Sequence, residues 1–334
     1  MKRKNTLIAL LIAFNIVFIL IILNYKLKYE IGSFGTEAFI HAKQEQENYE
    51  FHWPSNKKMA ISLTFDDARE SQIDNGIPLL EKYCIKATFY VSLDNFLKRS
   101  EDWKSAFKHG HEIGNHTSSH PCSENHDWGL NNSLENYNES MMLNDLKSAN
   151  KLIFKTIGSK PISFAYPCGQ TFIGKGIETK SYVPVIASMF HSGRLTSGGS
   201  VNAVYSDFAK LPSQNTDNIT FHEIKNIIED AKKKGKWLIL NGHEIGDGIS
   251  LQTTSLNTLD SICKYASDTT NGIWIDNVEN ISAFIREKRQ EPPFKYITNY
   301  RTPESSLYSK MNSIIYINRM RVSNYLNKTR QKLG

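Results

Sequence analysis

Met59-Ala-Ile-Ser-Leu-Thr-Phe-Asp-Asp67 is a short, β-leaning apolar run that ends in two acids. It reads as a strand whose carboxyl end carries charge. Adjacent acids repel, so something usually rewards them. In a continuing strand Asp66 and Asp67 would face opposite sides of the sheet, but past its end both can turn toward one site. A strand-end Asp-Asp also serves as a helix cap or turn. The pair tells against a glycosidase site built from these two alone, which needs carboxyl groups ~5 to 9 Å apart across a sugar. It suits one acid holding a metal beside another acting as a base.

Outward from this run the pattern alternates. Ile73, Ile77, Leu80 and Tyr83 stand at helical spacing, and a second strand follows over 86–91. Helices are expected over 102–109, 141–157, 220–233 and 256–267. Strands are expected over 162–165, 185–187 and 237–240, with a last strand-helix unit over 272–286. Strand-helix alternation over about 230 residues marks a parallel α/β sheet or barrel.

Two further places carry chemistry. In Gly110-His-Glu-Ile-Gly-Asn-His-Thr-Ser-Ser-His-Pro121, His116 and His120 are four apart, which puts both imidazoles on one side of a helical turn and within reach of one ion. With a spare carboxylate they make a two-histidine, one-aspartate site that keeps positions open for water and substrate. His109, His111 and His126 read as solvated or capping residues. Leu238-Ile-Leu-Asn-Gly-His243 is a buried strand ending at a histidine. That histidine is either a satisfied core residue or, at the carboxyl end of a parallel strand, part of a site.

Composition narrows the partners. The chain has 334 residues, 40 basic against 34 acidic side chains, and four cysteines. It is not a disulfide scaffold, and without a basic stripe interleaved with aromatics it is not expected to bind nucleic acid. Leu7 to Leu23 is apolar except for Asn15. It spans ~25 Å, close to what a bilayer asks for. Lys2, Arg3 and Lys4 precede it, which keeps the amino end cytoplasmic and exports the rest. The reading is a single-pass anchor in the cytoplasmic membrane, with the lipid bilayer as partner through residues 7–23. A cleaved signal peptide with secretion is the alternative. Domain expectations are 1–29 for the basic end and anchor, 30–57 for a stalk, 58–290 for a catalytic domain and 291–334 for a basic extension beginning near Pro292-Pro293.

Thr64-Phe-Asp-Asp67, His116-Thr-Ser-Ser-His120, Pro167-Cys-Gly169 and Leu238-x-Leu-x-x-His243 together resemble the ordered motifs of the polysaccharide deacetylase family, the NodB-like carbohydrate esterases. The flanks fit as well, and the resemblance runs from about Lys58 to Arg286. It implies a distorted (β/α) barrel of about seven strands, with the site at their carboxyl ends. Carried over, Asp67, His116 and His120 would bind a divalent ion, zinc first, with cobalt or nickel as alternatives. Asp66 would be the general base, a backbone N–H at Cys168 the oxyanion donor, and His243 the general acid. The implied substrate is an acetylated polysaccharide or oligosaccharide, the implied products acetate and an amino sugar. The alternatives are an O-acetyl xylan-type esterase and a catalytically silent carbohydrate-binding member.

Two departures from the family pattern stand out. The third motif commonly begins with an Arg that orients the base, and here that position is Ala165. Arg194, from a neighbouring loop, is favoured over Arg69 as the replacement. The Asp-Trp pair that tunes the acid histidine has no match, since Asp127-Trp128 lies in the wrong place. Cys122 and Cys168 both belong near such a site. An exported compartment allows them to pair, and two free thiols are the other reading, one of which would then compete for the metal. Cys84 and Cys263 read as core positions.

Overall fold

A computed structural model describes residues 51–290 other than Ile249. The apolar run 7–23, the stalk up to residue 50 and the extension 291–334 therefore lie outside the described residues. Among the described residues no helix is long and apolar enough to cross a membrane.

Eight strands form one parallel sheet. They are β1 (Met59–Asp66), β2 (Thr88–Val91), β3 (Glu112–Asn115), β4 (Ser163–Ala165), β5 (Ser192–Gly198), β6 (Leu211–Asn215), β7 (Trp237–Gly242) and β8 (Ile273–Ile275). The first seven pair in sequence order, and β7 returns to β1 in register from Ala60↔Trp237 to Phe65↔Gly242, which closes a seven-stranded barrel. The eighth strand supplies the distortion. It pairs with Met59–Ile61 at the foot of β1, whereas β2 pairs with Thr64–Asp66 at the top.

The helices lie outside the barrel: α1 (Ile77–Lys82), α2 (Leu93–Lys98), α3 (Ser100–Lys108), α4 (Glu139–Ile157), α5 (Val183–Met189), α6 (Phe221–Lys233), α7 (Leu256–Ser267) and α8 (Val278–Lys288). Their ends follow local chemistry. Thr220 and Glu223 form a reciprocal capping box at the start of α6, and α4 stops at Gly158 in the left-handed conformation (φ 82°).

Every residue of β1 is buried, yet its two faces differ. Met59, Ile61, Leu63 and Phe65 join Phe89, Val91, Ile113, Leu238 and Leu240 in the apolar layer between sheet and helices. Each large side chain buried there contributes roughly 1.5–3 kcal/mol. The alternate residues Ser62, Thr64 and Asp66 face the lumen. In-register neighbours extend that polar lining with Thr88, Tyr90, Glu112, Ser163, Ser192 and Arg194.

The foot of the lumen is covered by α8. Its first amides are taken by lumen side chains, Val278 N–H donating to Thr88 Oγ1 (2.9 Å) and Glu279 N–H to Glu112 Oε2 (3.0 Å). Just past its far end, Arg289 donates to the carbonyls of Ala203 (2.7 Å) and Ser206 (2.9 Å).

The structure corrects four local expectations. Residues 185–187 are helical, not a strand. Pro184 sits in the first turn of α5, where its fixed φ suits a helix and its missing N–H would break a central ladder. Arg194 is on a strand, β5, not in a loop. His111 is buried, its Nδ1 accepting from the Ala87 N–H (3.2 Å), and burial pushes its pKa down to about 4. Cys84 is exposed, whereas Cys263 is buried.

Candidate active site

β1 delivers Asp66 into the lumen, and the chain then turns sharply. Asp67 has a left-handed backbone (φ 74°), with its N–H still bonded to Tyr90 O (2.9 Å) and its own carbonyl accepting from Ser92 Oγ (2.8 Å) and Asn95 Nδ2 (3.0 Å). This reversal lets neighbouring carboxylates serve the same end of the barrel. Thr117, His120 and Cys168 are left-handed too, so the segment from His116 to His120 is not the helical turn that its spacing suggests. Each such non-glycine residue costs on the order of 1–3 kcal/mol, and such strain concentrates at functional sites.

The three candidate metal ligands converge. Asp67 Oδ1 lies 3.6 Å from His116 Nε2 and 3.4 Å from His120 Nε2, and the three ligand atoms fall within 4.8 Å of one another. His116 Nδ1 is 2.9 Å from the Ala165 carbonyl. A carbonyl only accepts, so that nitrogen carries the proton and Nε2 offers its lone pair to the site. Burial pushes the His116 pKa down to about 4, so the ring is neutral at pH 7. For Asp67, burial raises the pKa, but His116, His120 and Arg69 outweigh it and hold the carboxyl at about 2. Arg69 Nη2 donates to Asp67 Oδ2 (2.9 Å), leaving Oδ1 for the histidine side. One carboxylate oxygen and two imidazole nitrogens are a donor set that fits zinc, cobalt or nickel.

Asp66 is held from across the lumen. Arg194 Nη2 donates to Asp66 Oδ1, and both residues are almost wholly buried, at 0% and 1% exposure. Burial alone would raise the Asp66 pKa. The Arg194 guanidinium, with His116 and His243, reverses that and keeps the carboxylate ionised. The register explains where this arginine comes from: Arg194 pairs directly with Ala165 on the adjacent strand. The guanidinium absent at 165 is supplied at the same level, one strand over.

His243 follows the end of β7, and its Nδ1 lies 2.6 Å from Asp217 Oδ2. Asp217 is fixed in turn by the His243 N–H (3.1 Å) and by Thr254 Oγ1 (3.1 Å), both donating to its Oδ1. Burial lowers the His243 pKa, but Asp217, Asp66 and Asp67 together raise it above the usual value. Asp217 is the residue that sequence reasoning missed. Its signal was a carboxylate just past the carboxyl end of β6, the neighbour of the strand that ends at His243. Gln72 was missed as well: buried, its amide donates to the carbonyls of both Asp66 (2.6 Å) and His243 (2.9 Å) and so ties two strand ends together.

Cys122 and Cys168 form a disulfide, with Cα atoms 5.8 Å apart. It joins the loop carrying His120 to the turn Pro167–Gly169, and it leaves neither sulfur as a thiolate to compete for the ion. Asp127 is exposed, and Arg69 serves Asp67 rather than Asp66.

Residues 54–175 match the family model "Polysaccharide deacetylase". Over that stretch the chain is similar to the polysaccharide deacetylase family. A peptidoglycan-N-acetylglucosamine deacetylase of Bacillus cereus is 30% identical over 127 residues, 38% of this chain and 42% of that protein. One from Listeria monocytogenes is 26% identical over 133 residues, 40% of this chain and 25% of the relative. The chain thus spans less than half the length of these two curated relatives. Among solved structures, a protein of Pseudomonas aeruginosa PAO1 described as a probable polysaccharide deacetylase superposes with a TM-score of 0.54 at 14% identity, covering 74% of this chain and 96% of that one. That likeness speaks to the fold.

Proposed function

We propose that the barrel is a metal-dependent hydrolase that removes acetyl groups from N-acetylated sugars of an envelope or extracellular polysaccharide. The observation that carries this reading is the Asp67, His116 and His120 cluster, with ligand atoms within 4.8 Å of one another, beside a buried Asp66–Arg194 pair. The named activity of the Bacillus and Listeria relatives makes the N-acetylglucosamine of peptidoglycan the first substrate to try.

Asp67, His116 and His120 would hold a divalent ion, which when bound would supply Lewis-acid polarisation to an acetyl carbonyl and a water. Asp66, ionised against Arg194, accepts a proton from the attacking water. The Cys168 N–H donates to the carbonyl oxygen as negative charge develops on it. His243, its Nδ1–H held by Asp217, gives the Nε2 proton to the departing amine, which is too basic to leave unprotonated. Acetate and a free amino sugar result.

The reading extends to place. The Leu7–Leu23 run would hold the chain in the cytoplasmic membrane with the barrel outside, and a disulfide suits an oxidising compartment. Protease cleavage of the barrel in intact cells stripped of their wall tests this, and protection would refute it.

For activity, the full-length chain in detergent is assayed for acetate release, metal-stripped and zinc-reloaded, on an N-acetylglucosamine oligomer and an O-acetylated xylan. Zinc-restored release from the amide is the expected result. Release from the ester alone would overturn the substrate assignment.

A further inference from the structure

Arg194 does its work from inside the barrel, and something there must hold its position. Its Nη2 reaches Asp66 and its Nη1 donates to the Leu195 carbonyl (3.1 Å), while Nε has no hydrogen-bond partner among the described residues. Two hydrogen bonds to one edge leave the plane of a guanidinium free to tilt. The missing constraint is a ring. Arg194 Cζ lies 5.0 Å from the centroid of Tyr90, which is itself fully buried.

The sheet register puts these groups on one level. Tyr90 pairs with Asp66 on one side and with Gly114 on the other, and Arg194 pairs with Ala165. The two small residues clear the space. A Cβ on Gly114 would stand 2.5 Å from Tyr90 Cδ1 and 2.8 Å from Ser163 Oγ. Only with no side chain at 114 does the Tyr90 ring lie where it meets the guanidinium.

We infer that Tyr90 is a positioning residue whose ring face holds the Arg194 guanidinium in the plane it needs to grip Asp66, in a seat that Gly114 keeps open. A desolvated cation over an aromatic face is a favourable contact, and arginine stacks on such faces more readily than lysine. Tyr90 touches neither substrate nor metal in this role. It acts through Arg194, and the inference rests on the proposed reaction only for its kinetic consequence.

The test compares Tyr90→Phe with Tyr90→Leu in the full-length chain. Leu removes the ring and should lower kcat about thirtyfold, equivalent to about 2 kcal/mol, with KM and zinc affinity unchanged. Phe keeps the ring face and should hold kcat within about threefold of wild type. A second readout needs no turnover. In nuclear magnetic resonance spectra the Arg194 side-chain N–H signals should be ring-shifted and protected from solvent exchange in wild type and in Tyr90→Phe, and lose both features in Tyr90→Leu. Equal kcat in the Leu and Phe variants, or Arg194 signals indifferent to the ring, would overturn the inference. A wild-type chain without deacetylase activity but with ring-dependent Arg194 signals would refute the proposed reaction and leave the positioning role standing.

Discussion

Alternate residues of β1 enter two different environments. Ile61, Leu63 and Phe65 pack outward under the helices, and Ser62, Thr64 and Asp66 point into the lumen. Both sets are almost fully buried, so exposure does not distinguish them; chemistry does. The outer layer consists of interchangeable apolar volume, where the requirement is density. The lumen holds paired charges and hydroxyls whose partners are individually specified, such as Trp237 Nε1 on Ser62 Oγ (3.1 Å) and Arg194 on Asp66. Stability therefore resides mainly in one face of each strand and chemistry in the other.

That division can be broken or sharpened by four substitutions. Asp66→Asn keeps the shape of the lumen and removes the base. It should lower kcat on the order of a thousandfold while the chain still binds zinc, and retained turnover would unseat the base assignment.

Arg194→Ala should lower kcat about a hundredfold and, by leaving a buried carboxylate unpaired, cost about 3–5 kcal/mol of stability. The pH dependence should invert. In wild type the Asp66 pKa is depressed, so its contribution to stability is present above the unfolded value and is lost as pH falls through the folded one. Without Arg194 burial raises that pKa, and acidification should instead recover stability. Adding Ala165→Arg, in register on the next strand, should restore part of the activity. Thermal melts across pH and a kcat comparison with the double variant decide it.

Asp217→Asn should reduce kcat about tenfold and move the alkaline limb of the kcat profile to lower pH. The sign follows from His243 acting in its protonated form: Asp217 helps raise its pKa, so losing Asp217 makes the proton leave sooner. An unmoved limb would mean that His243 is not the acid.

Leu63→Ala, on the outer face of the same strand, should cost about 2–5 kcal/mol of stability and leave kcat of the folded protein unchanged. A fall in kcat comparable to that of the lumen variants would erase the distinction between the two faces.

The same two-faced construction explains which parts of the molecule could be read from sequence. β1 and β7 carry enough outward Ile, Leu and Phe to register as strands, and the acids or histidine at their ends mark the site. β5, Ser-Gly-Arg-Leu-Thr-Ser-Gly198, and β6, Leu-Pro-Ser-Gln-Asn215, escaped notice. Their lumen positions are mostly polar, and outward positions such as Gly193 are small because a Cβ there would meet Ala209 O at 2.7 Å and Ile186 Cγ2 at 3.0 Å. Neither face then shows an apolar run. Conversely, Val183-Pro-Val-Ile186 has strand-like composition and is a helix, because Pro184 starts it and the sheet offers it no partner. Asp217 was hidden with β6: once the strand is missed, a carboxylate just past its end looks like any other loop acid. The histidine pair at 116 and 120 depended on none of this, since four-residue spacing is visible in one dimension.

The seam between β1 and β7 has a consequence for how the chain reaches its native state. The Thr64 hydroxyl bonds to the Leu240 carbonyl across 176 residues of sequence, whereas β1 and β2 meet after a single short crossover. Contacts this distant carry a high loop-closure entropy and slow the search for the native topology. The first six strands can assemble as an open, curved sheet while the chain is still being made, with Ser62, Thr64 and Asp66 wet and one edge of β1 unpaired. Only the arrival of β7 closes the ring, so a strand made late in synthesis determines when the interior dries. Until then β1 offers an exposed strand edge, and this is the interval in which the nascent protein is most exposed to aggregation.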